Sequence, residues 1–257
     1  MESLTTVAAG YVADKFVERA EAAVKTHVIE RWSRYRARKF FETFCDELLD
    51  VSLSDVELQA KLDALLDDED RSAVVFDAYR AVCLTKSRDL GPRVIALLTA
   101  ELVSSDTRAT EEDDMVFAAA EELGDSELEE AASYAAEQQQ LCARQVDNAP
   151  RRLADGTLVV ELHKEHHDSG RSSLGAIDIG PIDLGITLGR WALKAKRIGL
   201  LSDAVTEEHE AYQADSEYHI DEDGVSRTLR WSATLCPAFF HLAGLVRRAG
   251  LRKRREA

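Results

Sequence analysis

The chain has 257 residues, 45% of them hydrophobic, and a formal net charge of −16 at pH 7. That length and apolar content exclude a disordered chain and suffice to bury a core in one large or two small domains. Charges or glycine interrupt every apolar stretch of membrane-spanning length, and the N-terminus lacks the basic-then-apolar signature of a secretory signal, so a cytoplasmic protein with no membrane partner is expected.

The negative charge is unevenly placed. Residues 1–150 carry 16 Lys and Arg against 32 Asp and Glu, whereas residues 151–257 carry 16 of each. An acidic N-terminal part repels phosphate backbones and leaves the C-terminal part free to behave differently. Cys45, Cys83, Cys142 and Cys236 lie far apart with no C-x-x-C pair, which predicts reduced, buried thiols in place of a zinc ribbon or redox motif.

From Leu4 to Leu49 the apolar residues Val12, Phe16, Ala20, Val24, Val28, Trp32, Tyr35 and Phe40 recur at helical spacing, predicting one long amphipathic helix or two joined ones. Ser54-Asp55-Val56-Glu57 forms a capping box that opens a helix through Leu66. Asp67-Asp68-Glu69-Asp70 then predicts a turn and an acidic helix entry, suited to the positive end of the helix dipole, for a helix from Ser72 to about Thr85 that sends Val75, Tyr79, Val82 and Cys83 inward. Gly91-Pro92 punctuates the chain before a helix from Pro92 to about Val103, apolar almost all round and expected to be the most buried element. Thr110 with Glu111, Glu112 and Asp113 predicts another N-cap, and Gly124 a left-handed helix end. Ser126 and Glu129 repeat the capping-box spacing for a helix reaching about Val146.

After Asn148-Ala149-Pro150 the texture changes, and a domain boundary is expected near 148–155. Asp155-Gly156 is a turn and Thr157 to His163 a β-prone segment; glycines at 170, 175, 180, 185 and 189 then loosen the chain. Asp183 to Lys196 reads as a helix leading through Arg197-Ile198-Gly199-Leu200-Leu201 into a short apolar strand. Tyr218-His219-Ile220 is expected to meet Val225 to Trp231 across the turn Asp221-Glu222-Asp223-Gly224, with the acidic Glu207-Glu208-His209-Glu210 separating the strand candidates. Helix returns from Pro237 to Ala249.

This order of helix, strand, hairpin and helix resembles bacterial winged-helix domains, on Arg197-Ile198-Gly199-Leu200-Leu201 and on Trp231-Ser232-Ala233-Thr234-Leu235 before the last helix. The whole arrangement also looks like bacterial abortive-infection alpha-type proteins, which implies a regulatory or phage-defence setting. The expected fold is therefore mainly α: an acidic all-α helical domain over residues 1–150 and a small α+β, winged-helix-like module over 151–257 with a basic C-terminal tail.

Three constellations carry candidate chemistry. Arg190, Lys194 and Arg197 stand at i, i+4 and i+7, so one helix face presents three cations to a phosphate backbone; they are the candidate nucleic-acid-binding residues. A basic island, Arg31, Arg34, Arg36, Arg38 and Lys39 interleaved with Trp32 and Tyr35, is expected to pair with carboxylates of the chain itself or of a second copy, and Arg247, Arg248, Arg252, Lys253, Arg254 and Arg255 to favour the negative end of the last helix before a frayed tail. His163, His166, His167 and Asp168 are the densest set of potential metal ligands; they match no zinc spacing, would need partners such as His209 or His219, and read as an exposed polar loop.

No phosphate-binding glycine loop, nucleophile elbow or zincin motif occurs, so no catalytic residue, cofactor or metal is assigned. The reading is a non-enzymatic helical interaction or regulatory protein, with a protein partner or self-association expected. The alternatives are a winged-helix DNA-binding regulator and a metal-dependent hydrolase using His163, His166 and His167.

Overall fold

The computed structural model describes residues 32–48, 64, 67–105, 109–144, 149–169, 181–212 and 224–256. Among these the chain is mainly α-helical with a small antiparallel sheet toward the C-terminus, an α+β module on a helical protein. The elements are α1 (Trp32–Leu48), α2 (Glu69–Leu84), α3 (Leu90–Ser105), α4 (Glu111–Glu122), α5 (Asp125–Arg144), β1 (Arg151–Arg152), β2 (Leu158–Ser169), α6 (Leu184–Thr187), α7 (Arg190–Ile198), β3 (Leu201–Tyr212), β4 (Gly224–Leu235) and α8 (Pro237–Glu256). The helix expected before Trp32, nearly all of the one expected over 54–66, and the Tyr218–Ile220 strand lie outside the described residues.

Backbone contacts divide the chain into two compact units, residues 1–133 with 240–257, and residues 134–239. The change of texture at 148–155 falls inside the second unit. In the first, α3 packs against α1, α2 and α4. It is buried from Leu90 to Ala100, as its all-round apolar pattern predicts, and each fully buried Leu, Ile or Val contributes roughly 1.5–3 kcal/mol. Phe40, Phe41 and Phe44 of α1 complete this core: the Phe40 and Phe44 rings stack at 5.7 Å and Phe41 stacks on Tyr79 at 5.8 Å.

Caps set the helix ends. The Asp68 carboxylate accepts from the Arg71 N–H at 3.0 Å and opens α2 at Glu69, three residues before the expected start at Ser72, so the end of the acidic run is the first helical turn. Thr110 and Asp113 form a reciprocal capping box on α4, whose acidic first turn complements the dipole. Two expectations shift in register. Leu123, in extended conformation, is the C-cap of α4, and Gly124 is not among the glycines at positive φ. Glu127, not Glu129, reaches back to the Gly124 N–H at 2.8 Å, so the α5 entry lies two residues earlier than the Ser126 spacing suggests.

Asp125 instead serves the neighbouring helix. Its carboxylate accepts from the N–H groups of Arg88, Asp89 and Leu90, at 2.8 Å for Leu90, and from the Ser87 hydroxyl, which itself accepts from Gly91 at 2.6 Å. Burial pushes this carboxyl up, but Ser87 and the three N–H groups together hold it below the usual carboxylate range. Gly91 is required by close approach, since a Cβ there would lie 2.6 Å from the Ala120 carbonyl oxygen.

In the second unit the sheet order is β1-β2-β4-β3, antiparallel throughout. The hairpin partner of β4 is the whole of Leu201–Tyr212, with Tyr212 opposite Gly224. The acidic Glu207–Glu210 stretch expected to separate strands is thus part of β3. Opposite charges make this tolerable: Glu207 pairs with Arg227, and Arg230 bridges Glu208 at 3.2 Å and Glu161 at 3.1 Å. Carboxylates along an edge strand also discourage pairing with another chain. Trp191 anchors the core, 1% exposed, with its ring 5.4 Å from Tyr134 and stacked at 5.6 Å on Phe239.

Candidate functional site

The segment read as one helix over Asp183–Lys196 is two. The Asp183 side chain caps α6, accepting from Gly185 at 2.8 Å and Ile186 at 3.2 Å, and Gly189 at φ 104° separates α6 from α7. That backbone angle is cheap only for glycine, which is why the chain turns there. α6 and α7 then touch at Gly185, where a Cβ would meet the Leu193 Cδ1 at 2.9 Å. At the other end Gly199, at φ 95°, donates to Ala195 and Lys196, and Leu200 donates to Ala195 at 2.9 Å before β3 begins. This is a Schellman ending, and it matches the helix stop expected at Gly199.

At 3.6 residues per turn, Trp191, Ala192 and Ala195 occupy one side of α7, and all three are buried. Leu193, Arg197, Arg190 and Lys194 fall within an arc of about 100° on the opposite side. Arg190, Leu193 and Arg197 are exposed and Lys194 is half-buried. The structure therefore brings the three candidate nucleic-acid-binding residues onto one outward stripe. Lys196, on the flank, pairs with Asp203 at 2.5 Å. From Leu184 to Leu200 the chain contains four cations and no carboxylate. The sequence reading missed the apolar members of the surface, Leu193 and Ile186, which are 51% and 86% exposed. Leu193, three residues after Arg190, lies on the cation face of any helix, so its place there was legible in the spacing.

The histidine cluster is strand, not loop. A register shift between Glu161 and His163 inserts one residue into β2, a bulge that resets the alternation of side chains. His163 consequently stands opposite Trp231, its ring 5.3 Å from the indole, and contacts Glu165 at 3.0 Å. His166 stands opposite Thr228, on the other face, and contacts its hydroxyl at 3.0 Å. Alternation thus separates His163 from His166. His209 contacts Glu207 at 2.9 Å, and His219 lies outside the described residues. Among the described residues, no group of three or more His, Cys, Asp or Glu is arranged to hold a metal ion.

The basic tail is not frayed within the described residues. α8 runs to Glu256, and its cations meet carboxylates of the first unit: Arg248 bridges Glu47 and Glu101, Arg252 pairs with Glu47, Lys253 approaches Asp89 at 3.6 Å, and His241 contacts Glu101 at 3.0 Å. In the basic island, Arg38 and Lys39 both pair with Glu42, and Arg88 lies 5.3 Å over the Tyr35 ring. Arg31 is outside the described residues. All four cysteines are free thiols. Cys45 is buried, its thiol pushed up to about 12 chiefly by burial, whereas Cys83, Cys142 and Cys236 are half-buried, less enclosed than expected.

Among the described residues no helix is long and apolar enough to cross a membrane. Compared with protein-family models, curated proteins and solved structures, the chain finds no match.

Proposed function

We propose that the chain is a non-enzymatic regulatory protein whose C-terminal module is winged-helix-like and binds duplex DNA through α7, with the acidic helical body serving protein contacts or self-association. The observation that carries this reading is the outward stripe Arg190, Lys194 and Arg197, held by the burial of Trp191, Ala192 and Ala195 on a helix without a carboxylate. Support also comes from element order. The end of α5, β1, β2, α6, α7, β3, β4 and the first turn of α8 run helix, strand, strand, helix, helix, strand, strand, helix, with β4 between β2 and β3 and the two-residue β1 outside β2. Cations on one helix face match the spacing of phosphates along a groove, and the acidic body lowers association with nucleic acid through any other surface.

The test is duplex binding by the full chain across a salt series. The Arg190→Ala/Lys194→Ala/Arg197→Ala variant is expected to lose affinity and to flatten the dependence of log affinity on log salt by roughly 3, one unit per phosphate contact removed. Equal binding by wild type and variant removes α7 as the site.

A phage-defence setting rests on the resemblance to abortive-infection alpha-type proteins, and a change in phage plating on deletion of the protein is its check. A protein-partner role in place of DNA predicts that pull-down from the host recovers a defined protein, undiminished by nuclease.

A further inference from the structure

Helix α2 is apolar on two sides. Val75, Ala78, Ala81 and Val82 are buried in the first unit, whereas Ala73, Phe76, Asp77, Arg80 and Leu84 are exposed. At 3.6 residues per turn the five exposed positions fall within an arc of about 100°, so they make one outward face along about three turns of the helix. Phe76 is 38% and Leu84 62% exposed. A surface helix ordinarily keeps its apolar residues on the core side and turns charge to solvent. On α2 the outward face is mostly apolar, and its two charges, Asp77 and Arg80, cancel on a chain of net charge −16.

Resting on the self-association part of the reading above, we infer that two copies of the chain pair through this face, α2 against α2, antiparallel about a two-fold axis. A contact of that symmetry demands a surface complementary to itself. The order of residues on α2 meets the demand. An axis level with the midpoint of Ala78 and Tyr79 sets Asp77 opposite Arg80 of the second copy and Ala73 opposite its Leu84, each contact occurring twice. Opposite charges thus meet, and the bulky Leu84 meets the smallest side chain of the face. The two Phe76 residues stand on either side of the axis, each less than one helical turn from it, and supply aromatic surface to bury. Parallel pairing of the same faces would instead set Asp77 against Asp77 and Arg80 against Arg80, which like-charge repulsion disfavours. Because the face carries no net charge, it adds nothing to the repulsion between two acidic copies. One helix face is a small interface, so the association is weak and depends on concentration.

The experiment follows self-association of the full chain by sedimentation velocity across a concentration series, for wild type, Asp77→Arg, Arg80→Asp and an equimolar mixture of the two variants. Wild type is expected to show a reversible monomer–dimer equilibrium. Each reversal alone puts two like-charge contacts where wild type has two attractions and is expected to weaken dimerisation by roughly 30-fold. Arg80 also interacts electrostatically with Glu121 of α4, so its reversal affects the monomer too, and mixing separates the two effects. In the mixture, reversed position 77 of one copy faces reversed position 80 of the other, the second contact keeps its native pair, and dimerisation is expected to return close to the wild-type level. A defect of folding in either variant would not be repaired by mixing. Variants that dimerise like wild type, or a mixture that stays monomeric while wild type dimerises, overturn the α2 contact and leave self-association standing. Wild-type protein that is monomeric at every concentration overturns both, and DNA binding through α7 is tested separately by the duplex assay.

Discussion

Two basic helices of this chain place their cations differently. In α8, Arg248, Arg252 and Lys253 meet Glu47, Glu101 and Asp89, so their charge neutralises carboxylates of an acidic protein. In α7, the arc opposite Trp191 holds Arg190, Lys194 and Arg197 with Leu193 among them and no acidic residue on the helix. A run of cations in a sequence therefore says little about function until it is known what those cations face. Surface pairs of the α8 kind contribute modestly to stability.

The sharpest way to break the contrast is to remove what orients α7. Trp191→Ala deletes the ring that meets Tyr134 and Phe239 and is expected to destabilise by about 3–5 kcal/mol in urea denaturation, with loss of duplex binding as α7 loses its seat. Next in size, the triple α7 cation variant should lose about a hundredfold in duplex affinity, close to 2.7 kcal/mol, while its unfolding free energy stays within roughly 1 kcal/mol of wild type. That dissociation of binding from stability is what α8 must not show.

Arg248→Ala, the α8 counterpart, is expected to cost about 1 kcal/mol of stability, because it leaves Glu47 and Glu101 without their shared cation, and to leave duplex affinity unchanged. A binding loss in Arg248→Ala with stability preserved would erase the distinction between the two helices. The smallest effect is a pH dependence in the first unit. Because Asp125 titrates lower in the folded chain than the ordinary value near ~3.9, its contribution is complete above that value and is lost as pH falls through the lowered one. Asp125→Asn should thus narrow its stability difference from wild type below about pH 4, in acid titrations followed by circular dichroism.

Much of the helical protein was legible because its signals are local. Thr110 caps where its side chain predicts, and α3 announces its burial by being apolar all round. The C-terminal candidate residues were legible as a spacing: Arg190, Lys194 and Arg197 share a face on any helix. What surrounds them was not. The break at Gly189 depends on a positive φ that a glycine permits without demanding. The bulge in β2 is equally silent in sequence, yet it places His163 opposite Trp231. The strand pairing of Glu207 and Glu208 was hidden by their charge, which reads as loop until Arg227 and Arg230 are seen across the ladder.

By itself, then, the sequence determined the cap at Thr110, the burial of α3, the acidic charge and the cationic spacing of α7, since each of these depends on residues within a few turns of one another. Tertiary structure alone decided which carboxylates the α8 cations meet, which strand meets β4 and that His163 stands opposite Trp231. Those outcomes turn on partners dozens to some two hundred residues apart in the chain, and on one inserted residue that reverses an alternation.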